Sequence, residues 1–223
     1  MNDTPRNDST TAINFRAVPM FIWAALSLVA FWLISMAPFA LTHSNPDIAN
    51  ALVFWSYWVA VAWFGFRIMT GSKASEFRAS DVGRFVLVCI GVTALGVFYA
   101  SVLIVSQQVL SGFPALEPAK NPQAAFVSSS LIYTVAFFTF LFHGNFLLGI
   151  AAGTGGSFRG AAISARKVFL RTAVFSVLLG VLSALADEYL VGAGGIAGVV
   201  HWLLGSASIV LTGWFRSRVT GNE

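Results

Sequence analysis

Charge is scarce in this chain. Asp, Glu, Lys and Arg make up 10% of its 223 residues, against about 25% in an ordinary soluble domain. That shortage excludes a surface that faces water all round, so most of the chain must face lipid. Cysteine is nearly absent too. With Cys89 alone no intrachain disulfide can form, and cysteine usage says nothing about redox compartment. No Asp, Glu, Lys or Arg falls in the middle of an apolar run, which argues against a voltage sensor or a carboxylate proton relay. A basic face long enough to follow a phosphate backbone is missing as well. The net charge of +4 therefore does not indicate a nucleic-acid partner.

No secretory signal peptide is expected at the start of the chain. Met1 to Asn14 is polar, without the basic lead and short apolar core that a signal peptide needs. Residues 1–16 are expected to form a disordered cytoplasmic tail.

What the chain does have is apolar length. It is 57% hydrophobic, and about 20 helical residues cross a 30 Å hydrocarbon layer. Runs of that length read as six spans, at about 17–41, 48–69, 84–109, 126–150, 168–186 and 196–215. Breakers separate them: His43-Ser44-Asn45-Pro46-Asp47, the prolines 114, 118 and 122, Gly153-Thr154-Gly155-Gly156, and Gly192-Ala193-Gly194-Gly195. Ser80 is placed to cap the third span. The expected fold is all-α: a polytopic membrane protein with a bundle of six transmembrane helices over residues 17–216 and a short cytoplasmic tail at 217–223.

Basic residues set the orientation. Twelve of the thirteen fall on one side of this topology: Arg6, Arg16, Arg67, Lys73, Arg78, Arg84, Arg159, Arg166, Lys167, Arg171, Arg216 and Arg218. Lys120 is the exception. The positive-inside rule then puts both termini in the cytoplasm. The short tails and loops suit an inner (plasma) membrane. Asp47, Glu117, Asp187 and Glu188 are left in the outer turns as an acidic face.

A constant offset of 84 residues pairs Gly65 with Gly149, Thr70 with Thr154, Gly71 with Gly155, Phe85 with Phe169 and Gly96 with Gly180. This would carry the hairpin of spans two and three onto that of spans four and five, a parallel repeat of the kind seen in transporters. Gly91-x4-Gly96, Gly144-x4-Gly149 and Gly194-Gly195-x2-Gly198 would let helices approach closely, within the bundle or against another membrane subunit or a second copy.

Two histidines lie within spans, His143 and His201, and His43 lies at an outer edge. Ionisable groups at such positions are functional suspects. As haem ligands His143 and His201 make a poor pair. They lie roughly 12 and 20 Å from the inner ends of their spans at 1.5 Å per residue, whereas axial ligands need similar depth. An outer grouping of His43, Asp47, Asp187, Glu188 and His201 offers imidazole and carboxylate donors suited to a divalent transition metal. It has no metal-ligand spacing signature. Asn145 and His143, two residues apart, point to different helix faces, and Asn145 is expected to bridge helices.

No catalytic set emerges. His143-Gly144-Asn145 with a histidine in the last span is similar to rhomboid intramembrane proteases, but the Gly-x-Ser-Gly nucleophile those enzymes need inside a span is missing. The chain also lacks a Walker motif and CxxC. The function expected from sequence is a transport-related or accessory subunit of a membrane complex. The alternative is a metal- or haem-binding membrane protein or enzyme using His143 or His201.

Overall fold

A computed structural model of the chain describes residues 17–36, 46–71, 78–110, 121–153, 166–190 and 196–220. They are all-helical, with six helices and no strand among them: α1 Ala17–Met36, α2 Pro46–Thr70, α3 Ala79–Leu110, α4 Pro122–Ala151, α5 Phe169–Leu190 and α6 Ile196–Thr220. Five of these, α2 to α6, are long and apolar enough to cross a membrane. The apolar stretch of α1, Pro19–Ile34, is shorter. The expected first span continued to residue 41, and its last part lies outside the described residues. So do His43, residues 1–16 and the glycine run 154–156.

The bundle is built on α4. It packs most extensively against α5 and α3, and also touches α2 and α6. Contacts between helix ends show how the rods alternate. Arg67 near the end of α2 and Arg216 near the end of α6 both donate to carbonyls in the last turns of α4. Phe85, in the first turns of α3, packs on Trp63 and Phe66 of α2. Phe169, at the start of α5, packs on Phe138 and Phe142 of α4. The basic ends of these helices therefore share one face of the bundle.

Two apolar clusters fill the interior. The larger joins α1, α2, the start of α3, α4 and α6 through Trp23, Tyr57, Phe66, Phe85, Leu147 and Ile209. The smaller joins α4, α5 and α6 through Leu141, Leu179, Leu204 and Phe215. Polar tips inside the larger cluster are satisfied across helices. The Trp23 indole donates to the Val61 carbonyl at 3.0 Å, the Tyr57 hydroxyl to the Ser27 carbonyl at 2.6 Å, and the Trp202 indole to the Ser27 hydroxyl at 3.1 Å. The outer faces are as apolar as the core: Phe21, Leu87 and Leu170 are exposed. A water-facing monomer does not tolerate apolar surface this extensive. A lipid-facing one requires it.

Several boundaries differ from those read in the sequence, for local reasons. α4 starts at Pro122 rather than 126, because Asn121 caps it by accepting from the Gln123 and Ala124 amides. Proline at the first helical position loses no hydrogen bond. α3 starts at Ala79 rather than 84, and Ser80 lies inside its first turn instead of capping it; the Asp81 amide already bonds the Arg78 carbonyl. α6 runs to Thr220, past the expected end at 215. α2 and α4 are both followed by a glycine with positive φ, Gly71 at 66° and Gly153 at 72°, which only glycine adopts at no steric cost.

The most consequential difference is in α5. It continues to Leu190, so Asp187 and Glu188 belong to its last turns and not to an outer loop. A carboxylate near a helix C-terminus is unfavourable to the helix dipole. Asp187 is held there by donors from two other helices.

The two hairpins of the expected repeat are not packed alike. α4 and α5 form the most extensive helix pair, whereas α2 and α3 touch little. Gly180 is pressed against Thr134, while Gly96, its partner at offset 84, has open space where a side chain would be.

Candidate functional site

Asp187 is the centre of the site. One carboxylate oxygen, Oδ2, accepts from the Tyr133 hydroxyl of α4. The other, Oδ1, is 2.8 Å from Nε2 of His201 on α6. The Tyr133 and His201 rings lie 5.8 Å apart. Three helices thus meet at one carboxylate. A carboxylate only accepts, so His201 carries its proton on Nε2. Both partners are half-buried, the His201 side chain 30% and that of Asp187 42% exposed. The network therefore stands at the edge of the bundle rather than in its core.

Beneath this network is a cavity of about 310 Å³. It is larger than the roughly 150 Å³ apolar cavity that holds benzene, and lies at the low end of the range for ligand pockets. Its lining follows helical spacing on each rod. On α4 the wall is Tyr133, Ala136, Phe137 and Phe140, and on α6 it is His201, Gly205, Ser208 and Ile209. Trp58 and Ala62 contribute from α2, Ser183 from α5 and Phe31 from α1. Tyr133 to Phe140 spans seven residues, so the cavity runs about 10 Å along the bundle away from the Asp187 network. Ala136 is exposed and lies halfway along α4, so the cavity reaches the surface at mid-span.

Glycine sets the shape of this space. Gly205 has no room for a Cβ, which would overlap the Trp58 ring. The six-membered ring of the indole therefore comes close to the α6 backbone and forms one wall. Ser208 and Ser183 behave differently. The Ser208 hydroxyl donates to the Gly205 carbonyl at 2.6 Å. That of Ser183, on a residue 0% exposed, has no hydrogen-bond partner among the described residues.

Of the five residues grouped in sequence as a metal site, the structure joins two, Asp187 and His201. Glu188 is exposed beside them. Asp47 is in the first turn of α2, and its side chain, like all of His43, lies outside the described residues. No group of three or more His, Cys, Asp or Glu is assembled among the described residues.

His143 is elsewhere. Its Nδ1 donates to the Thr139 carbonyl at 2.8 Å, and it does not line the cavity. Asn145 is 3% exposed, and its Oδ1 has no partner among the described residues. It bridges α4 to α6 through its backbone instead, the carbonyl accepting from Arg216 Nη1 at 3.3 Å. Arg67 Nη1 makes the matching bond to the Ala151 carbonyl at 3.3 Å and stacks over Trp63. Two cations thus sit against the last turns of α4, the negative end of its dipole, and Arg67 satisfies a carbonyl left open at the helix end.

Sequence reading missed Tyr133 and Ser183. A tyrosine in an aromatic-rich span carries no local signal of its partner 54 residues away. Ser183 did leave one: with Asp187 it forms an i, i+4 pair on a single helix face.

Compared with protein-family models, curated proteins and solved structures, the chain matches none.

Proposed function

We propose that this protein is a membrane-embedded small-molecule-binding component of a transport system, lying in the inner (plasma) membrane with both termini in the cytoplasm. The observation that carries the reading is the mid-span cavity, closed at one end by the Tyr133–Asp187–His201 network. An apolar cavity with a few convergent polar groups is the usual form of a ligand site. An acid–imidazole pair at the edge of an apolar bundle, bonded across three helices, is a candidate place for chemistry or recognition. The orientation rests on the one-sided distribution of Lys and Arg.

The test is to purify the protein from its own membranes in mild detergent and extract what co-purifies, beside the variant Ala136→Trp. A molecule enriched on the wild type and lost from the variant is the expected result. Identical extracts would end the reading.

A second reading places a divalent metal, a haem or a reaction on His201. It rests on Asp187, which fixes the imidazole through Nε2 and leaves Nδ1 to another partner, as carboxylates do behind metal-bound histidines. Stoichiometric metal, or a Soret band lost in His201→Ala, would decide for it.

A further inference from the structure

We propose that the outer face of α5 binds an anionic phospholipid, with the phosphate held by Lys167 and Arg171 and an acyl chain laid along Val174, Leu178 and Leu182. The site is separate from the cavity and does not depend on it.

α5 has two unlike faces. Thr172, Ser176, Leu179, Gly180 and Ser183 are buried, and Gly180 is pressed against Thr134 of α4. The other face is bare. Positions 171, 174, 178, 182 and 185 recur at helical spacing, and Arg171, Val174, Leu178, Leu182 and Leu185 are all exposed. Lys167, four residues before Arg171, is exposed too. The Thr172 amide bonds the Val168 carbonyl at 2.9 Å, which keeps helical spacing in the turn before α5. One stripe of the surface therefore begins with two cations and continues as an aliphatic ridge.

The dimensions are those of a lipid in one leaflet. From Arg171 to Leu182 is about 16 Å of helix at 1.5 Å per residue, close to half of a 30 Å hydrocarbon core. Leu170, beside Arg171, is 76% exposed, so apolar surface reaches up to the cation without a polar gap. An arginine there lays its stem on the apolar surface and its guanidinium among the headgroups. A guanidinium takes a phosphate through two parallel N–H bonds.

Charge selects the headgroup. The sequence contains no Asp or Glu between Glu117 and Asp187. On α5 the nearest carboxylate to Arg171 is that of Asp187, about 24 Å along the helix. Arg171 makes no ion pair or hydrogen bond among the described residues. The other basic positions differ. Arg67 and Arg216 are bonded to α4 carbonyls. Arg84 of α3 is one turn from Asp81, and Glu76 precedes both. The surplus of positive charge is thus concentrated before and at the start of α5. A zwitterionic headgroup carries its own cation and leaves that surplus unmatched, whereas an anionic one answers it.

The experiment titrates the full chain in detergent micelles with dioleoyl phosphatidylglycerol or dioleoyl phosphatidylethanolamine and counts bound lipid by native mass spectrometry. We expect phosphatidylglycerol to bind more tightly, with the preference falling about fivefold for each of Lys167→Gln and Arg171→Gln, as about 1 kcal/mol per cation near an anionic surface implies. Arg84→Gln should leave it unchanged. Phosphatidylglycerol should also raise the melting temperature of the wild type more than that of the double variant. Glycerophosphoglycerol, the same head without chains, should not displace the lipid. Equal binding of the two lipids, a preference that survives the double variant, or an equal loss in Arg84→Gln would overturn the proposal. Displacement by glycerophosphoglycerol would assign the cations to a soluble phosphate instead. A dimer in the same spectra that Val174→Trp dissociates would assign the face to a second copy.

Discussion

Gly180 of α5 lies directly against Thr134 of α4: a Cβ at position 180 would stand 2.6 Å from the Thr134 backbone nitrogen. Backbone cannot swing aside as a side chain can. The two helices can be this close only because one of them is bare at this point. Thr134 is next to Tyr133, so this crossing fixes the spacing of the Asp187 network.

Gly180→Ala is therefore expected to push α5 off α4. The cost should be about 1–3 kcal/mol, the usual range for overpacking, with weakened coupling between Tyr133 and Asp187. Gly96→Ala is the control, since position 96 has open space. Thermal unfolding in detergent checks both, and equal melting temperatures for the two variants would contradict the crossing.

Tyr133 and His201 share Asp187 and should be energetically coupled. Tyr133→Phe and His201→Gln are each expected to cost about 1 kcal/mol, since the carboxylate is 42% exposed and solvent screens such pairs. The double variant should cost less than the sum, because the second substitution removes a partner from a carboxylate already partly released. Strict additivity in a double-mutant cycle would mean that the three groups do not act as a network.

Arg67 is 8% exposed, and its guanidinium both bonds the Ala151 carbonyl and stacks on Trp63. Arg67→Ala should destabilise the bundle by about 1–3 kcal/mol, within the range for a lost charged hydrogen bond and an orphaned buried acceptor. Arg67→Lys should recover only part of this, since an ammonium lacks the planar face that stacks. Full recovery by lysine would reduce the role of Arg67 to charge alone.

The orientation is open to reporter fusions. A reporter placed after Gly112 or within residues 191–195 should signal from the outside, and one placed after Arg218 from the cytoplasm. An inside signal after Gly112 would remove the support for cytoplasmic termini.

Most of the helical architecture could be read directly, because apolar length and breaker residues are local properties. α2 to α6 all contain the expected apolar runs. What failed at the ends was the treatment of charge and proline as stops. Pro122 starts a helix because Asn121 caps it, and Asp187 stays in α5 because Tyr133 and His201 answer its charge. Both corrections depend on partners, and for Asp187 those partners come from other helices. Asp187 and His201 stood in sequence within a larger group read as metal donors, and the structure bonds those two to each other. Tyr133 and the cavity were not, because neither leaves a pattern in any single span. The repeat suggested by equal spacing of common residues met the opposite difficulty. Gly96 and Gly180 match as letters, but one faces open space and the other a neighbouring backbone.

α4 is gripped at two places. Short of its midpoint its Tyr133 hydroxyl is tied to Asp187, and in its last turns its Asn145 and Ala151 carbonyls are held by Arg216 and Arg67. From residue 133 to residue 151 is about 27 Å of continuous helix at 1.5 Å per residue. A rod fixed in this way works as a lever. Any tilt imposed beside the cavity must shift the carbonyls at the opposite face or break their bonds to the two arginines. The cavity wall on α4 and the carbonyls held by the two arginines therefore lie on one continuous rod.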